Sequence, residues 1–553
     1  MRWIRRALTA AALVTAIALI TTAIPSRAEA LTVNTLSDLA DANSADGVCD
    51  TDATAAGEQC SLRAAIETAE QLPGADTISF SVSGVIALES SLPPINSDLI
   101  ISGPGAGLLT VRPALNAETP FGLLTQTTGT LILQGLHLVG GSAAQGGAVN
   151  SMGHLILSNV EVDGGTASGN GGAIYNALGL MITNSRVTGG ASGGGGGAVY
   201  AQGTLSIVNT TIAGSVAQAG GGLYAGALTL VDSTVSGNTA AQGAGVYIGG
   251  ESLIANSTIA GNNASGSGSG VFIAESTGTI QITLRNATIA RNQGINSAGL
   301  VTTSRAALIT AYNSLFAENE GGNCLVPAIV SGGHNLSSDS TCTGLTAAGD
   351  QNGINPLLGP LADNGGSTQT MALLPGSPAI DTADFALLAA DLLDRDGDGS
   401  TNEFIPYDQR GSVGGTTYFR VSGPAPDIGA FEVQVTPETT PTNTPPPTAT
   451  PTARIIIIVV TATPTRTATA TATVTGTVTT TVTPTVTATL TGTQPTATDT
   501  KAPTYTYTPT PTVTNTDLPT ATNTDVPTAT NTDLPTATNT DAPTPTDTTI
   551  PPG

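Results

Sequence analysis

Charged and aromatic side chains are scarce in this chain of 553 residues. Only 10% of the residues are charged, 3% are aromatic, and tryptophan occurs once. This composition, with 67 glycines, excludes one large conventional globular core. Lysine occurs only at Lys501, which excludes a lysine-dependent mechanism from the rest of the chain. The net charge of −24 disfavours nucleic acid and anionic lipid headgroups as partners, because like charges repel.

Cysteine is also rare, and its four copies fall into two close pairs. Cys49 lies near Cys60 in the sequence, and Cys324 lies near Cys342. An even number of cysteines in an exported chain predicts two local disulfides. A zinc site is the alternative, but the three histidines, at positions 137, 154 and 334, are remote from a four-ligand spacing.

The first 30 residues have the pattern of an export signal. Three arginines precede an apolar run over residues 7–24, and Ala28-Glu29-Ala30 forms a small-x-small cleavage site. A membrane anchor is the alternative, although no polar stop-transfer pattern follows. We therefore expect an extracellular or cell-surface protein with no membrane-spanning segment in the mature chain.

A glycine-punctuated unit recurs seven times between Gly146 and Gly322. Each unit has one anchor residue, and successive anchors are 23 to 30 residues apart: Asn159, Asn184, Asn209, Asp232, Asn256, Asn286 and Asn313. A period in the twenties is typical of a solenoid. Apolar side chains alternate before and after each anchor, which indicates strands rather than helices. We predict an all-β fold, a right-handed parallel β-helix with three strands per coil.

Stacking of such coils places equivalent residues in columns. The anchors, and a second set at Asn238, Asn262, Asn292 and Asn319, are expected to form hydrogen-bonded asparagine ladders at the bends. An aromatic column follows the glycine pairs at Tyr175, Tyr200, Tyr224, Tyr247 and Phe272. A threonine column at positions 211, 234, 258 and 288 predicts a flat strip of hydroxyls suited to polymeric surfaces, although threonine also simply favours strands.

The open end of a β-helix needs a cover, because unpaired strand edges recruit other chains. Ser61 to Gly74 predicts a capping helix, with Ser61 as N-cap and Pro73-Gly74 as the stop. Residues 78–111 contain short aliphatic runs and are expected to form irregular early coils.

Oxygen-bearing side chains alternate in DRDGDGSTNE, residues 394–403. This spacing is typical of a calcium loop of the EF-hand or dockerin kind. The expected ligands are Asp394, Asp396, Asp398, Ser400, Asn402 and Glu403. Position twelve is Ile405 instead of a bidentate acid, so Glu403 or Asp408 would have to substitute. An acidic, solvated turn without a metal is the alternative.

Three ionisable side chains, His137, Glu161 and Arg186, share one outward column two residues after the bends. Enzymes built on this fold use carboxylate clusters on one exposed face. An acid between two basic side chains is a candidate proton-transfer group, and cross-strand charge pairing on a solvated sheet explains the pattern equally well.

Several motifs resemble known modules of exported bacterial proteins. CSLRAAIETAE, from Cys60, is similar to the CSLREA-type N-terminal module, and the GGA(I/V)Y units resemble polymorphic outer membrane protein repeats. HNLSSDSTC, NPLLGPLADNGGSTQTMALLPGSPAID, DQRG and DIGAFE, between residues 334 and 432, resemble the choice-of-anchor Q domain. These resemblances imply a bacterial surface or secreted β-helix protein without an assigned common activity.

The expected organisation follows from these assignments. It comprises a signal peptide (1–30), a CSLREA-like module with the cap helix (31–76), the β-helix (77–345), a choice-of-anchor Q-like module (346–434) and a Thr/Pro-rich stalk (435–553). Within the stalk, the apolar run IIIIVV at residues 455–460 is too short to cross a bilayer.

We expect a protein that binds glycans, envelope or matrix polymers without catalysis. An extracellular polysaccharide lyase or glycoside hydrolase is the alternative, and a purely structural envelope component is the third possibility. Calcium is the only cofactor that the sequence suggests.

Overall fold

The computed structural model describes residues 30–275, 278–294, 297–327, 329–391 and 394–435. The expected signal peptide, apart from Ala30, the Thr/Pro-rich stalk from residue 436 onwards and its IIIIVV run lie outside the described residues.

Two rows of parallel strands form one 19-stranded sheet. Row A contains the strands that follow the glycine pairs: Leu124–Gln126, Val149–Ser151, Ile174–Asn176, Val246–Ile248, Val271–Ile273, Leu300–Thr302 and Cys324–Leu325. Row B contains Ala30–Val33, Asp76–Phe80, Leu99–Ser102, Thr130–Gln134, His154–Ser158, Gly179–Thr183, Ser252–Ala255, Ile280–Arg285, Ala307–Tyr312 and Ile329–Gly333. Two longer strands, Val199–Val208 and Leu223–Val231, run through both rows and join them.

Row C is a second sheet of 12 parallel strands on the other side of the bends. It contains Gly84–Leu88, Leu109–Pro113, His137–Val139, Glu161–Asp163, Arg186–Thr188, Thr211–Ala213, Thr234–Ser236, Thr258–Ala260, Thr288–Ala290, Leu315–Ala317, Leu336–Ser337 and Gln351–Asn352. Its strands pair in parallel with their equivalents one coil away, as Glu161 pairs with His137 on one side and Arg186 on the other. The predicted parallel β-helix is therefore confirmed.

The structure adds a short row D, which the repeat pattern did not predict. It contains Ser142–Ala143, Thr166–Ala167, Ala191–Ser192, Thr239–Gln242 and Asn263–Ser267. These strands are short because glycine turns bracket them on both sides. The early coils are also more regular than expected, since strands Asp76–Phe80 and Gly84–Leu88 take their places in rows B and C.

The interior is a continuous column of aliphatic side chains. Leu155, Leu180 and Leu205 pair in register on successive coils, and all three are at most 1% exposed. Neighbouring coils lie about 4.8 Å apart, so each aliphatic side chain packs against its equivalents above and below.

All seven anchors adopt the left-handed backbone conformation, with φ between 46° and 54°. Asparagine and aspartate tolerate this region better than other side-chain-bearing residues, which explains why they recur at the bend. Asn209 donates its amide to Asn184 over 2.7 Å, and Asn256 donates to Asp232. The continuous anchor ladder that the sequence predicts is therefore not formed among the described residues. Asn313 donates to the Asp384 carbonyl instead, and the buried side-chain amide of Asn286 has no hydrogen-bond partner.

The second asparagine set forms a buried ladder. Each side-chain amide donates to the next side-chain carbonyl over 2.9 to 3.0 Å, through Asn238, Asn262, Asn292, Asn319 and Asn323. A row of hydroxyls, not predicted, follows five of the seven bends, at Ser185, Thr210, Ser233, Ser257 and Ser314. Along this hydroxyl ladder Thr210 accepts from the Ser185 backbone N–H, and Ser233 accepts from the Thr210 N–H. Both ladders satisfy backbone and side-chain polar groups that burial would otherwise leave unpaired.

Helix α1, Leu62–Ala69, covers the first strands of row B. The Ser61 hydroxyl accepts from the Ala64 N–H over 3.0 Å, as expected of an N-cap, and Leu62, Ala65 and Ile66 are buried. The helix ends before Leu72, earlier than expected. The disulfides Cys49–Cys60 and Cys324–Cys342 are confirmed, and among the described residues no cysteine remains free for zinc.

Residues 356–435 fold back onto the later coils of the β-helix, and we call this segment the C-terminal clamp. It contains two antiparallel hairpins, Leu358–Ala362 with Thr370–Leu373 and Tyr407–Val413 with Thr416–Phe419. Two short 3₁₀ turns, Ser44–Asp46 near α1 and Phe385–Leu387 in the clamp, complete the secondary structure of the described residues. The clamp lies against row B, where Ala389 and Ile405 pack on Val231 and Ala255, and against row C, where Gln409 contacts Thr258.

Candidate functional site

The outward side of row C has two different halves. From Thr110 to Arg186 its outward side chains are half-buried or exposed, and we call this half the open face. From Thr234 to Leu315 they are at most 7% exposed, and we call this half the covered face. Thr211, 9% exposed, lies at the border between them.

The open face brings the three sequence-predicted charged residues onto neighbouring strands. Glu161 lies between His137 and Arg186 in register. Within the described residues, the Glu161 side chain forms no hydrogen bond or ion pair with either of them. His137 pairs instead with Asp163, whose Oδ2 lies 3.0 Å from the His137 Nε2.

Asp163 is the functional candidate that the sequence analysis did not select. Its carboxylate accepts from the Thr188 hydroxyl as well as contacting His137. Burial acts to raise the pKa of Asp163, but the hydrogen bonds from Thr188 and His137 and the charge of Arg186 outweigh burial and lower it. The period of two along a strand puts residues 161 and 163 on one side, and this signal was present in the sequence.

On the other ring nitrogen, the Thr110 hydroxyl lies 3.4 Å from the His137 Nδ1. His137 is therefore held between a hydroxyl and a carboxylate on its two neighbouring strands. This arrangement orients the imidazole across three coils of the open face.

The threonine column is not the exposed strip that the sequence predicted. Thr258 donates its hydroxyl to the Gln409 Oε1 over 2.6 Å, and Thr288 accepts from the Ala430 N–H over 3.0 Å. Thr234 accepts from the Gln409 Nε2 over 2.8 Å. The expectation of a flat hydroxyl surface for polymers is wrong for the described structure, because the C-terminal clamp occupies these hydroxyls.

Two buried arginine–carboxylate pairs hold the clamp together. Arg410 contacts Asp408 over 2.6 Å, and Arg420 contacts Glu432 over 2.8 Å. Burial raises the pKa of Glu432 to about 7, although the charge of Arg420 opposes this shift. Burial also raises the pKa of Asp408, against the hydrogen bond and charge of Arg410.

A further ion pair joins the clamp to the β-helix, between Arg395 and the bend residue Asp232. The amide of Asn256 donates to the Tyr407 carbonyl over 3.1 Å, and the Arg420 Nη1 lies 3.3 Å from the Asn256 Oδ1. The bend residues Asp232 and Asn256, which bond to each other, therefore also contact the clamp.

The acidic loop of the clamp gathers carboxylates in two overlapping groups. Oxygens of Asp394, Asp396 and Asp398 lie within 4.8 Å of one another, and so do those of Asp391, Asp396 and Glu403. Asp391 was not predicted as a ligand, because it precedes the loop of residues 394–403. Burial and the negative charges of Asp398, Asp396 and Asp391 raise the pKa of Glu403, outweighing a hydrogen bond with Ser400 that lowers it.

The other expected loop ligands have different surroundings. Ser400 accepts from the Asn402 N–H at 3.5 Å, while Asp408 is fully committed to Arg410 and to the Glu432 N–H. Ile405, at position twelve, is buried against the β-helix. Asp408 is therefore wrong as a substitute ligand, and Glu403 is the acid that lies near the loop carboxylates.

The predicted aromatic column is confirmed on the outer side of row A. Consecutive ring centroids lie 5.4, 4.5, 4.6 and 5.2 Å apart along Tyr175, Tyr200, Tyr224, Tyr247 and Phe272. The three central rings are half-buried, so their edges reach solvent while their faces cover each other.

None of the helices in the described part of the chain has the length and apolarity needed to cross a bilayer. Among known proteins, no family model and no curated sequence matches the chain. A search of solved structures matches the crystal structure of pectate lyase Pel9A, at 11% sequence identity and a TM-score of 0.38. The match covers 73% of this chain and 97% of that chain, and we infer no activity from it.

Proposed function

We propose that this chain is an exported cell-surface or secreted protein that binds glycans or envelope polymers through its open face without transforming them. Two disulfides support an oxidising, extracellular location. The observation that carries the proposal is the state of Asp163. Its lowered pKa and its contacts with His137 and Thr188 keep it as a fixed hydrogen-bond acceptor, not as a proton donor.

The open face offers the groups that polar sugars need. Glu161 and the exposed Arg186 are not paired with each other, so both can exchange water for ligand hydroxyls. The edge of the clamp lies at the border of this face, where Ser367 contacts Asn209. A flat strip that ends at the clamp is suited to an extended polymer, because the clamp limits where the polymer can lie on the open face.

A glycan array combined with a depolymerisation screen tests this function. We expect binding without turnover, a tenfold or larger loss of affinity for Arg186→Ala, and no loss for Gln281→Ala, an exposed residue on row B. Turnover of any glycan that is abolished in Glu161→Gln would overturn the non-catalytic proposal.

A polysaccharide lyase or glycoside hydrolase is the second candidate. Glu161 and Asp163 project from the same side of one strand, two residues apart, and paired carboxylates are the catalytic groups of glycosidases. Loss of a measured activity in both Glu161→Gln and Asp163→Asn would favour this candidate. A protein found only in washed envelope fractions, with no glycan affinity, would instead favour a purely structural role.

We also propose that the loop of residues 391–403 holds calcium. Asp394, Asp396 and Asp398 supply the all-oxygen ligand set that a hard cation prefers, and Asp391 and Glu403 supply further carboxylates. The Glu403 Oε1 is buried without a hydrogen-bond partner, which is a further oxygen suited to a cation.

Calcium is expected to raise the melting temperature of the wild-type chain, and EDTA to reverse the shift. A ligand at about 100 times its dissociation constant stabilises the folded state by about 2.7 kcal/mol. Asp396→Asn should abolish the shift, whereas Asp363→Asn, outside the loop, should keep it. A wild-type chain that is indifferent to both calcium and EDTA would contradict the site.

The resemblance to CSLREA and choice-of-anchor Q modules stays part of this proposal. It is supported by the roles that the motif residues have. Ser61 of CSLRAAIETAE caps α1, while DQRG and DIGAFE supply Asp408, Arg410 and Glu432 to the paired carboxylates of the clamp.

A further inference from the structure

The aromatic column is a chemical feature that glycan binding does not use. Its rings lie face to face, with interplanar angles of 6°, 18° and 10° between consecutive tyrosines. Sugars stack on ring faces, and here those faces are already occupied by neighbouring rings. What the column presents to solvent is a row of phenol edges at regular intervals.

The register of row A fixes these phenols as neighbours. Tyr175 pairs with Tyr200, Tyr200 with Tyr224, and Tyr224 with Tyr247 in the strand ladder. The backbone hydrogen bonds hold the rings at these distances, so two adjacent phenols cannot diffuse apart once formed as radicals. The central pairs are closest, with centroids 4.5 and 4.6 Å apart.

We propose that the Tyr200–Tyr224–Tyr247 segment is an oxidative modification site at which adjacent tyrosines couple to dityrosine and join successive coils covalently. The co-reactant is a peroxide, used by a one-electron oxidant of the peroxidase class. Each phenol loses one electron and one proton to become a phenoxyl radical.

The two radicals then form one carbon–carbon bond between ring positions beside the hydroxyls. The hydrogens on the two coupled carbons move to the phenol oxygens, which restores both aromatic rings. The two electrons and two protons removed reduce one peroxide to two waters, so the step is balanced. Burial raises the pKa of Tyr200 and Tyr247, so these phenols are neutral at ordinary pH and each loses its proton together with its electron.

The column also defines where coupling stops. Phe272 follows Tyr247 at 5.2 Å and has no hydroxyl, so it forms no phenoxyl radical. Tyr200 and Tyr247 lie two coils apart, about 9.6 Å, which is too far for a direct bond. Coupling therefore depends on Tyr224 or on the Tyr175–Tyr200 pair.

The test treats the full chain with hydrogen peroxide and a peroxidase, and then measures dityrosine fluorescence and maps cross-linked peptides by mass spectrometry. We expect intramolecular links between Tyr224 and Tyr200 or Tyr247. The double variant Tyr200→Phe/Tyr247→Phe keeps the ring stacking but leaves neither Tyr224 nor Tyr175 beside another tyrosine. It should lose every cross-linked peptide from the column.

The matched control is Tyr312→Phe/Tyr418→Phe, which changes two tyrosines outside the column and should keep the full yield. Peptide mapping separates products of Tyr505 and Tyr507, which lie outside the described residues. Cross-links from the column that join only different molecules would overturn the proposal. A wild-type chain that yields no column peptides, while free tyrosine couples in the same mixture, would overturn it as well.

Discussion

The open and covered faces of row C occupy the same strand positions of successive coils, yet they have opposite surroundings. On the open face these positions hold His137, Glu161 and Arg186, which lie in register on neighbouring strands and are accessible to solvent. On the covered face they hold threonines whose hydroxyls bond to the clamp. The difference shows that a repeat determines which side chains point outward, while a distant segment determines which of them stay exposed.

Removing an ion pair of the C-terminal clamp should give the largest difference in stability between the covered face and the open face. Arg420→Met removes a 1% exposed guanidinium and leaves Glu432 buried without its partner, which costs about 3–5 kcal/mol of unfolding free energy. Arg186→Met on the open face should change stability by less than about 0.5 kcal/mol. Denaturant unfolding of both variants measures the difference, and equal losses would show that the two faces do not differ as described.

A single hydroxyl gives the next largest contrast. Thr258→Val leaves the Gln409 Oε1 without its donor in a fully buried site, and we expect a loss of about 1–3 kcal/mol. Thr188→Val removes a donor from Asp163, whose side chain is 44% exposed, so solvent can replace it. If Thr188→Val proves the more destabilising of the two, burial by the clamp is not what makes the covered face stable.

The two faces should also respond oppositely to pH. Glu432 has a pKa raised from 4.5 to about 7, so the folded state binds the proton more tightly and its contribution to stability falls as the pH rises from about 4.5 to 7. Asp163 has a lowered pKa, so its contribution is present above its ordinary value of 3.8 and is lost as the pH falls through the lowered one.

Unfolding free energy measured against pH separates these contributions. Glu432→Gln should flatten the slope between pH 4.5 and 7, and Asp163→Asn should leave that slope unchanged. Burial also raises the pKa values of Asp408 and Asp427, which contribute to the same slope. Part of the slope therefore remains in Glu432→Gln. An unchanged slope in Glu432→Gln would contradict the raised pKa.

The smallest expected effect is on the melting temperature, and it concerns Glu161 on the open face. Glu161→Gln removes a charge without a hydrogen-bonded partner, so its melting temperature should stay within about 1 °C of wild type, since surface changes of this kind rarely exceed about 0.5 kcal/mol. A calorimetric scan measures it. A clear destabilisation would place Glu161 in a structural charge pair with Arg186 or His137.

The coil architecture was predictable because it repeats. Alternation around each anchor revealed strands, and the anchor type revealed the bend, since asparagine tolerates the positive φ that the bend requires. That rows A and B form one sheet was not predictable. It depends on the strands Val199–Val208 and Leu223–Val231, which continue from row A into row B without a turn. Nothing in the alternating pattern distinguishes a continuous strand from two strands joined by a turn.

The candidate site was harder to predict for a related reason. The sequence placed Glu161 beside His137 in register, but the side-chain partner of His137 is Asp163, two residues further along the same strand. The clamp was invisible to repeat analysis, since contacts such as Gln409 with Thr258 join residues 151 positions apart. The alternating acidic residues within 394–403 did predict a local cluster of carboxylates. Asp391 also belongs to this cluster, although it precedes the predicted loop.

The buried amide ladder also limits how this chain can change during evolution. The coil from Asn256 to Asn286 is 30 residues long and the coil from Asp232 to Asn256 is 24, yet the ladder stays aligned through both. Additional residues of the longer coil fall in the sequence between strands Val271–Ile273 and Ile280–Arg285, and not between the bend and the ladder asparagine. Length changes at that position are therefore tolerated, whereas an insertion of a single residue between a bend and its ladder asparagine would break the amide bonds of that coil to both of its neighbours.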